Sequence, residues 1–155
     1  MQVQPTRTDT QRNRPDVLAI VAKYPEPGQV KTRLGTAIGC VEAAALYRSF
    51  LADLAGRFTR SAQEHGYTLR WSCAPGSGSL QEIVGLDAPV QVQRGTDFAD
   101  RLYHLAVDME AIGVRRLVIM GSDSPHLAVS LVQDAFRAIE PGRVVLGPPM
   151  TADTT

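Results

Sequence analysis

Five short runs of strand-forming residues, at 17–22, 67–73, 90–93, 116–120 and 143–146, are separated by stretches with helical periodicity, and that alternation leaves few folds open. Over 39–64, Leu46, Phe50, Leu54 and Phe58 recur every four positions with Ala and charged residues between them, as an amphipathic helix requires. A short helical segment is expected at 80–84. Phe98, Leu102, Leu105, Met109 and Ile112 then step by four, three, four and three, and Leu127, Leu131, Ala135 or Phe136, and Ile139 mark a last helix. Strands joined by connections of this length pair in parallel, so the predicted class is α/β: a doubly wound, mostly parallel sheet with helices on both faces. Ligands of such sheets sit outside the carboxyl ends of the strands. The loops after Ala22 and Met120 both start there.

Size and charge narrow the function classes. A chain of 155 residues holds one ordinary domain, predicted here at 15–148, with residues 1–14 as a disordered lead-in and 149–155 as a polar tail. Sixteen Lys plus Arg balance sixteen Asp plus Glu, so no global field gathers nucleic acid or an anionic membrane. Any binding of phosphate must come from a local site. The longest apolar run has six residues, far below the roughly 20 that span a bilayer. The first fourteen residues carry no apolar signal segment, which makes the chain an expected cytoplasmic protein. Cys40 and Cys73 form neither a CxxC pair nor a Cys/His cluster and are read as ordinary buried or half-buried thiols.

Three segments carry candidate chemistry. In Lys23-Tyr-Pro-Glu-Pro-Gly-Gln-Val-Lys31-Thr32-Arg33, cations and a hydroxyl follow a strand end, and two Pro and the glycines argue against regular structure over 24–35. Gly28 permits close backbone approach to a ligand, while Lys31 and Arg33 supply a point charge and a fork for phosphate oxygens. A solvated loop of turn residues is the competing reading. The segment is not a Walker A loop, because Val30 rather than Gly precedes Lys31. Second, Gly121-Ser-Asp123-Ser-Pro125 places a carboxylate at a strand tip, where it can begin a Mg²⁺ or Mn²⁺ site or cap the next helix. Third, in Gln93-Arg-Gly95-Thr-Asp97-Phe-Ala-Asp100-Arg101, Asp97 is a natural helix cap and Arg101 lies one turn on, toward the same rim. His65, His104 and His126 have no ligand spacing, and a GxSxG elbow is missing.

The segments AKYPEPGQVKTRLG, ALYRSFLADL, QRGTDFADRL, VIMGSDSPHL and VVLGP, in that order, resemble the DUF2064 family of GT-A-type glycosyltransferase-like and nucleotidyltransferase-like proteins over roughly residues 17–148. The resemblance implies a nucleotide or nucleotide-sugar bound together with Mg²⁺ or Mn²⁺. It implies that Lys23, Gly28, Lys31, Thr32 and Arg33 surround the nucleotide, that Gly95, Asp97 and Arg101 form a second loop of its site, and that Asp123 is the metal carboxylate. Two departures stand out: Ala99 replaces a glycine of the family's second loop, and the DGGY segment that follows VxLGP in the family is absent. The expectation is therefore a C-terminally truncated GT-A domain, a metal-dependent transferase of glycosyl or nucleotidyl groups with an unknown acceptor. The alternative is a catalytically inactive nucleotide-binding fragment lacking the acceptor half, and a weaker third reading is an α/β module for simple anions. An unpaired sheet edge makes a homodimer a further expectation.

Overall fold

The computed structural model describes residues 14–147. The lead-in up to Asn13 and the tail from 149 lie outside the described residues. In chain order the elements are β1 (Asp16–Ala22), α1 (Thr32–Ile38), α2 (Cys40–His65), β2 (Thr68–Cys73), α3 (Gln81–Val84), β3 (Val90–Val92), α4 (Phe98–Ala111), β4 (Arg116–Gly121) and α5 (Val129–Ala138). The four strands form one sheet in the order β3-β2-β1-β4, and every pairing is parallel. The chain moves outward from β1 to β3 and then crosses back to β4 on the other side of β1. That reversal opens a crevice between the carboxyl ends of β1 and β4, the place where open parallel sheets bind ligands.

The pleat of β1 sorts the core into two layers. Leu18, Ile20 and Ala22 face α2, α3 and α5, where they join Leu51, Leu54, Phe58, Trp71, Val84, Val132 and Phe136. Val17 and Ala19 face the opposite side and pack with Leu105 and Met109 of α4. Helices therefore cover both faces, as the strand and helix alternation predicts.

Several expectations are corrected. The run at 143–146 forms no strand: Val144 and Leu146 are 86% and 88% exposed. Its residues favour pleated structure, but that preference is realised only against a surface to cover, and among the described residues none lies over this run. The basic loop is shorter than expected, because helix α1 starts at Thr32; the prolines and Gly28 all precede it. In α2 the buried stripe is Tyr47, Leu51, Leu54 and Phe58, with Leu46 exposed. A strict four-residue step drifts around a 3.6-residue helix, so the face is shared between steps of three and four. Phe98, the first residue of α4, and Ile112, just past its end, are exposed, and in α5 Val132 and Phe136 are buried while Leu131 is exposed. Cys40 is exposed at the start of α2, while Cys73 is buried.

At the far end of the sheet, Arg115 and Arg116 both grip the Asp16 carboxylate through paired hydrogen bonds, and Arg116 also donates to the Phe136 carbonyl at 2.7 Å. Burial works to raise the Asp16 pKa, but the hydrogen bonds and charge of Arg116 and Arg115 outweigh it and hold the group at about 2 instead of 3.8. A carboxyl depressed in the folded state contributes stability above its unfolded pKa and loses it as the pH falls toward the folded one. Asp16→Asn is thus expected to cost about 2 kcal/mol at neutral pH. Between pH 4 and 2 the difference from the parent should vanish in denaturant melts, and a constant difference across that window would contradict the assignment.

Candidate functional site

A cleft of about 630 Å³ opens at the carboxyl ends of the strands. Its first wall is the segment after β1. Lys23 is exposed at the strand end, and a turn through Glu26 to Gln29, with Gly28 at φ 78°, brings the chain round to Lys31. Lys31 adopts a left-handed backbone (φ 46°, ψ 41°) immediately before α1 and is the only non-glycine residue to do so among the described residues. Such a conformation costs an L-residue about 1–2 kcal/mol and concentrates at functional positions. It places the ammonium 2.9 Å from Asp123 Oδ1, and 5.7 and 5.4 Å from the ring centres of Tyr47 and Phe50. Thr32 and Arg33, the first residues of α1, continue this wall.

The opposite wall is the end of β4. The Ser122 amide donates to the Val21 carbonyl at 3.1 Å, which keeps β1 and β4 in register one residue beyond the sheet. Its buried hydroxyl lies 2.6 Å from Tyr47 Oη, and the Lys23 amide donates to the same Oη at 3.3 Å. One phenol from α2 thereby ties together the two strand ends that flank the crevice. Burial pushes the Tyr47 pKa up, and neighbouring Asp123 adds to that despite the hydrogen bonds, so the phenol keeps its proton. Asp123 itself points outward, its side chain 77% exposed. It caps no helix: α5 starts at Val129 with Ala128 at its cap position and no side-chain cap bond. The segment between is held instead by Arg57 of α2, which donates to the carbonyls of Pro125 and Leu127 at 2.6 and 3.2 Å. Of the two readings open for the carboxylate, capping is ruled out.

The third wall comes from the segment between β3 and α4. Asp97 caps α4 by accepting the Asp100 amide, and Asp100 Oδ2 accepts the Thr96 amide in return, both at 2.9 Å. This reciprocal pair fixes the first turn, from which Phe98 and Arg101 face the cleft. Arg101 Nε also donates to the Gly95 carbonyl at 3.3 Å. Gly95 has φ 137°, and a β-carbon there would come within 2.8 Å of the Arg101 amide nitrogen. Gly95→Ala is expected to destabilise the protein by about 1–2 kcal/mol through backbone strain and this collision, measurable by urea denaturation. An unchanged midpoint would show that the turn relaxes freely.

Of the residues singled out from sequence, Lys23, Lys31, Thr32, Arg33, Arg101 and Asp123 line one cleft, whereas Gly28, Gly95 and Asp97 are not among its lining residues. Tyr47, Gln93, Phe98 and Ser122 line it too and were not singled out. A tyrosine on the buried stripe of α2 was the available signal, since a phenol at the end of a core stripe needs a polar partner. Buried Gln93 donates from Nε2 to the Ser72 carbonyl at 2.7 Å, closing the floor beside β2. Burial raises the Cys73 thiol despite a hydrogen bond from the Tyr24 backbone, which makes it a poor nucleophile. Among the described residues no three His, Cys, Asp or Glu side chains cluster, and no helix is long and apolar enough to cross a membrane.

The parallel α/β sheet flanked by helices matches a GT-A-like architecture of the nucleotide-diphospho-sugar transferase type. The chain belongs to the DUF2064 family, described as "uncharacterized protein conserved in bacteria", whose model matches residues 52–151. That match includes Asp123 and the segment between β3 and α4, and starts after the basic loop. A crystal structure of a candidate nucleotide-diphospho-sugar transferase from Desulfovibrio desulfuricans G20 superimposes with a TM-score of 0.70 at 33% identity, over 79% of this chain. The chain spans 53% of that protein's length. No curated protein matches the chain.

Proposed function

We propose that the cleft binds a nucleoside diphosphate sugar or a nucleoside triphosphate, and that the protein is a metal-dependent transferase of the GT-A type, moving a glycosyl or a nucleotidyl group. The observation that carries this reading is the charge arrangement of the cleft. Lys23, Lys31, Arg33 and Arg101 line it, against the single carboxylate of Asp123, in a chain whose formal net charge is zero. A polyphosphate is the guest for which such a local excess of cations is useful, since each phosphate oxygen gains a charge-assisted hydrogen bond.

The donor set fits a hard cation. Mg²⁺ is commonly held by one or two carboxylates, with water and substrate phosphates completing its shell, and Asp123 presents an exposed carboxylate already facing a cation, the Lys31 ammonium. Asp123 would hold Mg²⁺ or Mn²⁺, which when bound offsets negative charge growing on the departing phosphate. Lys31 and Arg33 orient the phosphates, Arg101 extends the cationic wall, and the protonated Tyr47 keeps the two strand ends at a fixed separation.

Calorimetric titration with UTP, GTP, UDP-sugars and GDP-sugars, each with and without Mn²⁺, tests the reading. The expected result is binding of one nucleotide class that tightens with Mn²⁺. Asp123→Asn should abolish the effect of Mn²⁺ without moving the melting temperature, because the side chain is exposed and caps nothing. Silence from a folded sample toward all these ligands, or a Mn²⁺ effect that survives Asp123→Asn, would refute it.

A further inference from the structure

Two groups assigned above to different guests are paired with each other. Lys31, the ammonium for phosphate, lies 2.9 Å from Asp123, the carboxylate for the divalent cation. The pairing is built in from three directions. The left-handed backbone at Lys31 aims the side chain across the cleft, the Tyr47 and Phe50 rings flank its ammonium, and the side chain is only 21% exposed against 77% for Asp123. Lys23 and Arg33, on the same wall, form no ion pair with Asp123. A divalent cation arriving alone therefore meets a carboxylate already neutralised and a positive charge beside it.

We propose that Lys31 is an internal counter-ion that closes the Asp123 carboxylate to metal until the phosphates of a nucleotide draw the ammonium away, so that metal and nucleotide bind cooperatively. This rests on the function proposed above. The flexible stem of lysine suits the task, since one compact charge can exchange a carboxylate for a phosphate by rotation about its side-chain bonds. Linkage makes the coupling reciprocal: bound nucleotide tightens metal binding by the same factor as bound metal tightens nucleotide binding.

The test uses Mn²⁺ alone, followed by electron paramagnetic resonance of the free ion, on the parent protein, Lys31→Met, Lys23→Met and Asp123→Asn. Lys31→Met keeps the stem and its contact with the rings but removes the charge. Given the usual worth of a partly exposed ion pair, it is expected to bind Mn²⁺ about two- to fivefold tighter than the parent. Lys23→Met, which deletes a cation of the same cleft outside the pair, should change Mn²⁺ binding by less than about twofold. In the double variant Lys31→Met/Asp123→Asn the gain should disappear. Equal Mn²⁺ affinity of the parent and Lys31→Met, or an equal gain in Lys23→Met, would overturn the counter-ion while leaving Asp123 as a metal carboxylate. If none of the proteins binds Mn²⁺, both the counter-ion and the metal assignment fall, and the nucleotide titration decides separately whether the cleft binds phosphate.

Discussion

Lys31→Ala is expected to weaken nucleotide binding by about 1.5–3 kcal/mol, roughly ten- to hundredfold, the scale of a lost charge-assisted hydrogen bond. The size follows from position. Lys31 is mostly covered, is backed by two aromatic rings, and is held in a left-handed backbone conformation. Alanine leaves that strained backbone in place and removes only the charge and stem, so the fold should persist and the loss should appear in affinity alone. Titration of the variant beside the parent measures it. An affinity within twofold of the parent would remove the basic loop from the site, leaving Arg33 and Arg101 as the phosphate contacts to be tested.

Phe58→Ala should cost about 3–5 kcal/mol of stability, a large share of what a domain of this size possesses. Phe58 is fully buried in the main core, on the face of α2 that also carries Leu51 and Leu54. Truncation there leaves a cavity under the helix that supplies Tyr47 to the cleft, Phe50 to the Lys31 ammonium and Arg57 to the loop after β4. Thermal unfolding should shift downward by about 10 °C. Leu46→Ala is the contrasting variant: Leu46 is 40% exposed, and its loss should stay within about 1 kcal/mol. Similar costs for the two substitutions would mean that the helix packs on the other stripe.

The alternation of strand runs and helical periods was enough to give the class, the four parallel strands and the end of the sheet at which the cleft opens. It reads well because a strand buried on both faces, such as β1, must be continuously apolar, while a helix over it must be apolar on one side only. The candidate cluster was legible where strand ends meet unusual loops: Lys23, Lys31 and Arg33 after β1, Asp123 after β4. Tyr47 and Ser122 escaped because their pairing joins residues 75 positions apart, and nothing local in either segment announces the other. Helix α1 escaped because two prolines and a glycine among the preceding eight residues mask a start at Thr32. The run at 143–146 shows the opposite failure, since strand-type residues alone cannot make a strand where no surface receives them. The Lys31–Asp123 pair was beyond reach for another reason: opposite charges at two strand ends are as consistent with separate partners as with each other.

At Phe98 the cap of α4 separates two jobs that many loops combine. Gly95, Thr96, Asp97 and Asp100 hold the turn and Phe98 looks into the cleft, while Arg101 does both, lining the cleft and donating from Nε to the Gly95 carbonyl. Replacing Phe98 leaves these bonds untouched, so this wall can acquire a new preference by a single substitution that a marginally stable protein tolerates. Divergence of specificity within such a scaffold therefore has an inexpensive route at Phe98, and a library randomised at that position is a practical starting point for re-engineering what the cleft accepts.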